Sequence, residues 1–266
     1  MNTLLARARR GEPLDDIGII DVHGHLGRIG CSAPCAAPDE MIDEMDRLGI
    51  ESVIVSHSRC ISTRPDEGNV QVLQAMRAHP GRILGYVIVH PRSAEWVEGQ
   101  MTHYVERGFT GLKLHNANGF PYTDDAYRPA LAIANERHMP VLLHTWGQPE
   151  VLAECRTLAE RYPDATLLLA HAGVANEPGY IELAKNAPNV MLDVAVSRGW
   201  RGLVQRLVEA VGAHRVIWGS DTFLLGQAHQ LGKVLGAGIS DEDKVKILSG
   251  NARRVLDRVN ARRRQS

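Results

Sequence analysis

The stretch Ile19-Ile20-Asp21-Val22-His23-Gly24-His25 runs two β-branched apolar residues into a His-x-His pair. In a strand, side chains at i and i+2 share a face, so both imidazoles can reach one divalent metal ion. Two nitrogens only half-build such a site, and further ligands must come from elsewhere in the chain. Alone the pair is a weak signal, because polar residues commonly stand where a strand meets a loop. Other candidates recur at the ends of short apolar runs: His57, His90, His115, His144, His171 and Asp221.

Something must bring these residues together, and the chain supplies an alternation of strand and helix patterns. Strands are expected over 19–25, 52–57, 83–89, 111–115, 140–144, 166–170, 190–196 and 216–221. Helical spacing of apolar residues falls between them, as with Met41, Ile42, Met45 and Leu48 closing at Gly49. Ser93 is placed to cap one helix, and Ser240 with Asp243 resembles a capping box for the last. Residues 235–238 read as a flexible turn before that last helix. Eight β-α units without a composition break or linker point to an α/β fold, a single (β/α)8 TIM barrel spanning residues 1–266. A short N-terminal lead-in and a C-terminal helix complete it. An open doubly wound sheet is the competitor, but no Gly-x-Gly-x-x-Gly follows the first strand and no phosphate-loop Gly-Lys-Ser/Thr exists.

In such a barrel the reactive side chains gather at the C-terminal ends of the strands. His23 and His25 end the first strand, His57, His90, His115, His144 and His171 the next five in order, and Asp221 the eighth. A single strand-end histidine is more often structural than a ligand, and His57 and His90-Pro91 fit that description. The consistency of the set is the signal.

These residues resemble those of the amidohydrolase superfamily, in particular the branch holding metal-dependent hydrolases and aminocarboxymuconate-semialdehyde decarboxylase-like enzymes. The matching motifs are Asp21-Val22-His23-Gly24-His25, Leu142-Leu143-His144-Thr145-Trp146, Leu169-Ala170-His171-Ala172-Gly173, Trp218-Gly219-Ser220-Asp221 and Ser249-Gly250-Asn251-Ala252-Arg253. The resemblance implies that His23, His25, His144 and Asp221 hold one divalent metal ion, zinc before manganese, with a water completing the site. It also implies catalytic roles for His171 and Asp221. A set of three imidazoles and a carboxylate suits a cation that activates water near neutral pH.

Lys113 shares a strand face with His115 and is expected to point into the barrel. There it would bind a substrate carboxylate or, carbamylated, bridge a second metal ion, the mononuclear site being preferred. Arg28, Arg59, Arg64, Arg92, Arg198 and Arg201 fall in connections on the reactive side, with Phe120, Tyr122, Trp146, Trp200 and Phe223. Together with Lys113 and His115, the residues Arg28, Arg59, Trp146 and Arg198 are the candidates for substrate binding. They suggest a small organic acid, with at least half of the arginines paired to nearby carboxylates such as Asp66, Glu67, Asp124 or Asp125.

Thirty Lys+Arg against thirty-one Asp+Glu give no electrostatic case for nucleic acid or an anionic membrane. No apolar run has the roughly 18 residues of a membrane helix, and residues 1–10 lack a signal-peptide core, so a cytoplasmic protein is expected. Four scattered cysteines suit a reduced compartment, a Cys31, Cys35 and Cys60 metal cluster being disfavoured by its spacing. A homodimer is the association left open. A glycosidase barrel would want facing carboxylates, yet strand four ends in His115-Asn116 and strand seven in Ser197-Arg198. A Schiff-base aldolase on Lys113 leaves the His/Asp set without work. The sequence therefore favours a metal-dependent hydrolase of a small, anionic cyclic ester or amide, with non-oxidative decarboxylation of an unsaturated or aromatic acid as the alternative.

Overall fold

The computed structural model of the chain describes residues 3–27, 37–62 and 64–265. The first helix, α1 (Leu4–Arg9), is capped by Thr3 and leads into β1 (Ile19–Leu26). Helix α2 (Pro38–Leu48) opens with Pro38 at its first turn and buries Met41 and Met45. It stops at Gly49, whose φ of 77° and 2.4 Å approach of a would-be Cβ to the Leu14 nitrogen leave room for glycine alone.

The alternation then continues through β2 (Ile50–His57), α3 (Arg59–Ser62) and α4 (Pro65–Ala78), β3 (Ile83–Ile88) and α5 (Ala94–Val105), with Ser93 as the α5 cap. Next come β4 (Gly111–Leu114), α6 (Arg128–Glu136), β5 (Pro140–Leu143), α7 (Pro149–Arg161), β6 (Thr166–Leu169) and α8 (Glu177–Asn186). The last quarter holds β7 (Val190–Asp193), α9 (Leu203–Val211), β8 (Val216–Ile217), α10 (Gln227–Leu235), α11 (Asp241–Val245), a π turn at Lys246–Gly250 and α12 (Asn251–Arg263).

All eight strands pair in parallel in sequence order. The circle closes through residues following β8: Val22 N donates to Trp218 O, Asp221 N to His23 O and His25 N to Thr222 O. This is the expected (β/α)8 barrel. Ile20, Val22, Ile54, Tyr86, Leu142, Leu168, Met191 and Ile217 fill its interior, and Ala252 and Val255 of α12 close the floor. Alternate residues such as Val53, Leu112, Leu114 and Val141 face the helices. Each fully buried side chain of this size contributes about 1.5–3 kcal/mol. Asn251 anchors α12 by donating to Ala213 O and Val216 O.

Three expectations need correction. Strands β7 and β8 end earlier than their apolar runs: Asp193 Oδ1 captures the backbone N–H of Ala195, and after β8 the N–H groups of Trp218 and Ser220 turn to Ile247 O and Asp21 Oδ1. Helix α10 has no counterpart among the expected elements, because Gly232 dilutes a pattern in which Leu231, Val234 and Leu235 are buried; the turn expected before the last helix follows it at 236–238. The last helix is interrupted by the π turn, where Ile247 O accepts from Trp218 N. Among the described residues no helix is long and apolar enough to cross a membrane.

Candidate metal centre

The pairing of β1 with β2 shifts register between Asp21 and Gly24. Ile20 and Val22 face the interior before the shift. After it, a Cβ on Gly24 would strike Val53 Cγ2 at 2.7 Å, on the outer side of the sheet. The irregularity thus re-phases the strand and turns His23 and His25 inward. Their Nε2 atoms lie 3.3 Å apart, and Asp221 Oδ1 lies 3.4 Å from the first and 3.1 Å from the second. All three residues are buried.

Each group is held from behind. His23 Nδ1 donates to Asp193 Oδ2 at 2.7 Å, which leaves the Nε2 lone pair facing Asp221. Ser56 Oγ is 3.2 Å from His25 Nδ1. Asp21 accepts from Ser220 N at 2.9 Å, His23 N at 3.0 Å and Gln227 Nε2 at 3.1 Å, and from Ser220 Oγ, so it ties β1 to the segment bearing Asp221. Burial pushes the Asp21 carboxyl up to about 6 against the pull of these donors. Asp221 sits at φ 58°, a conformation that costs a non-glycine residue roughly 1 kcal/mol or more and is sustained by the surrounding bonds.

The three donor atoms suit a cation. Roughly 3.4 Å is the edge of a tetrahedron with metal–ligand distances of about 2.1 Å. Charge argues the same way: buried Asp193 and Asp221 face a single ammonium, Lys113, whose Nζ is 3.2 Å from His23 Nε2. Two carboxylates against one ammonium leave buried negative charge that a bound cation would balance. Burial works against the Asp221 carboxylate, yet the imidazoles of His23, His25 and His171 outweigh it and hold the group below its ordinary range. Burial also lowers His23, His115, His144 and His171. Lys113 is pushed down to about 8 by burial, with Asp221 and Asp193 opposing.

His144 stands beside this trio rather than within it. Its Nδ1 is 3.2 Å from His171 Nε2, and its ring stacks on His115 at 3.8 Å between centroids. His171, at φ 61°, donates from Nδ1 to Ala195 O at 2.5 Å, which makes its Nε2 an acceptor. The Trp146 ring stacks on His171 at 5.1 Å, and the residue is partly exposed.

The remaining expected residues divide. Lys113 points inward and is fully buried. Arg59 and Arg64 pair with Glu67, and Arg92 pairs with Asp66. Arg198 is exposed on the loop after β7, and Arg28, Cys31 and Cys35 lie outside the described residues. Tyr122 is not a contact surface: it is buried, and its hydroxyl donates to His144 O at 2.6 Å. His57 Nδ1 accepts from Arg59 N and His90 Nε2 donates to Cys60 O, local bonds that suit structural roles. The Cys60 thiol is buried, within reach of Pro65 O and Asn69 Oδ1. Sequence reasoning missed Asp193 and Ser56, and quoted Asp21 within a motif without giving it a role. A carboxylate inside the apolar run 190–196 was the available signal for Asp193.

Solved structures share this fold. A TIM-barrel protein from Bordetella bronchiseptica is 18% identical with a TM-score of 0.75, covering 91% of this chain and 99% of that one. A dihydroxybenzoic acid decarboxylase from a Polaromonas species, with bound manganese and the inhibitor 2-nitroresorcinol, is 17% identical with a TM-score of 0.71 over 90% and 97%. A protein from Acinetobacter baumannii named as a probable 2-pyrone-4,6-dicarboxylic acid hydrolase, with citric acid bound, is 15% identical with a TM-score of 0.68 over 90% and 99%. No curated protein sequence matches. The sequence profile of the amidohydrolase family, by contrast, matches residues 20–258, from β1 into α12, and the chain belongs to that family.

Proposed function

We propose that this chain is a metal-dependent hydrolase acting on a cyclic ester or amide of a small organic acid. The observation that carries the reading is the convergence of His23, His25 and Asp221 at one point on the rim, with Lys113 and His171 around it. Those three residues would hold a single divalent cation, and His144, which stands beside them, would serve as a fourth ligand by turning its ring from His171 toward them; zinc suits an imidazole-rich set and manganese is the alternative. When bound, the cation supplies Lewis acidity and lowers the pKa of water toward neutrality.

The protein groups divide the remaining work. Asp221 keeps an ionised carboxylate at the reacting position and is the group to take and return a proton. His171, with its Nδ1 proton committed to Ala195 O, has an Nε2 acceptor that meets His144 Nδ1 at 3.2 Å and would orient the attacking water once His144 turns toward the cation. The buried ammonium of Lys113 is placed to receive a substrate carboxylate. Trp146, lying on His171, supplies a flat apolar wall for a ring.

Decarboxylation is the second reading. It is favoured by the same Lys113 ammonium, which would hold a departing carboxylate, while several proteins of this fold are decarboxylases of hydroxybenzoates. An active substrate turned over in water enriched in oxygen-18, with carbon dioxide monitored, separates the two. Label in the product carboxylate is expected. Stoichiometric carbon dioxide without label would overturn the hydrolase.

A further inference from the structure

Behind β7, on the outer side of the barrel, α9 and α10 enclose a cavity of about 630 Å³, a size in the range that takes small organic molecules. It is separate from the metal centre. Asp193 points inward to His23, whereas Val194 and Val196 pack outward and form part of the cavity wall. Leu203 and Val204 extend the apolar side, and Trp200, at 71% exposure, stands at the edge.

Two cations line the same space, Arg201 and Lys233, and no carboxylate does so among the described residues. The half-buried Lys233 ammonium donates to two neutral oxygens, Val196 O and Gln230 Oε1, and neither cation has an ion pair among the described residues. Burial lowers Lys233 to about 8, with Asp193 opposing, so it remains charged at neutral pH. A partly desolvated ammonium with no ion pair is costly, and an anion in the cavity would relieve that cost. The cavity is open at exposed Gly232, which lines it and where a built Cβ meets nothing within 4 Å.

We propose that this cavity is a second binding site, for a small organic anion with a flat apolar body, such as an arene carboxylate. Its carboxylate lies between Lys233 and Arg201, and its ring lies against Leu203, Val204 and Trp200. The site stands independently of the reaction assigned to the barrel mouth.

The test uses benzoate as the probe and 5-fluorotryptophan-labelled protein, whose four tryptophans report different places by fluorine NMR. Trp200 reports the cavity, Trp146 the barrel mouth, and the buried Trp218 the integrity of the fold. Benzoate is expected to move the Trp200 resonance saturably. Lys233→Gln should weaken that response about tenfold or more, the loss of one charge-assisted contact, and Gly232→Leu should abolish it by filling the space. If the Trp218 resonance shows that Gly232→Leu is misfolded, Arg201→Gln takes its place and should also weaken binding. A Trp200 resonance that ignores benzoate, or that responds with unchanged affinity in the folded variants, overturns the site. So does a Trp200 shift that follows protein concentration without benzoate, which would mean that a second copy covers the cavity. A response at Trp146 bears on the barrel mouth alone, so either reading can fail without the other.

Discussion

Replacing Asp193 by asparagine tests how the proposed metal centre is built. The carboxylate accepts two hydrogen bonds at once, from His23 Nδ1 at 2.7 Å and from Ala195 N at 3.0 Å. Asparagine has one acceptor oxygen and an NH2 group, so it can satisfy only one of these donors. If the oxygen serves Ala195, the NH2 faces His23, the imidazole moves its proton to Nε2, and a hydrogen then points at Asp221 and His25 where a lone pair is needed. Loss of such an orienting contact lowers metal affinity about 10–100-fold, or roughly 1.4–2.7 kcal/mol. If the oxygen serves His23, the buried Ala195 N–H is left facing a donor, and the metal-free fold loses about 1–3 kcal/mol. Two measurements on Asp193→Asn cover both branches: zinc affinity by competition with a chromophoric chelator at fixed pH, and urea unfolding of the metal-free protein. A variant that retains wild-type zinc affinity within twofold and wild-type unfolding free energy refutes the assignment of Asp193 as the group that sets the His23 tautomer.

The proposed ligands should separate from the proposed catalytic group: His23→Ala and His144→Ala should lose bound metal by elemental analysis, while His171→Ala should retain it and lose turnover. A His171→Ala protein that arrives empty would merge the two roles. Gly49→Ala forces a side chain into a left-handed turn and against the Leu14 backbone, and should destabilise by more than ~1 kcal/mol in chemical denaturation. Burial pushes the Cys60 thiol from 9.0 up to about 12. Because its folded pKa lies above the unfolded one, the associated stability is present below pH 9 and is lost as the pH rises toward 12. Peptide mapping after thiol labelling should accordingly find Cys60 unmodified in native protein at pH 8 and modified in urea.

Much of this protein was legible from local information. The alternation of apolar runs and helical stripes specified the barrel, because burying both faces of eight short strands requires helices around a closed parallel sheet. The recurrence of histidine at strand ends pointed to the rim, and the i, i+2 spacing put His23 and His25 on one face. It could not say which face. That was decided by the register shift between Asp21 and Gly24, a property of how β1 meets β2 that no residue type announces. Nor did spacing separate His144, which meets His171, from the trio of His23, His25 and Asp221, since ring positions depend on side-chain directions across three different strands. Arg59, Arg64 and Arg92 pair with Glu67 or Asp66, as expected of at least half of the six loop arginines; which ones would pair was not legible, because a loop arginine and its carboxylate partner are chosen in space. Asp193 lay hidden in an apolar run. Its purpose depends on His23, 170 residues earlier in the chain, and only the closed barrel brings the two within 2.7 Å.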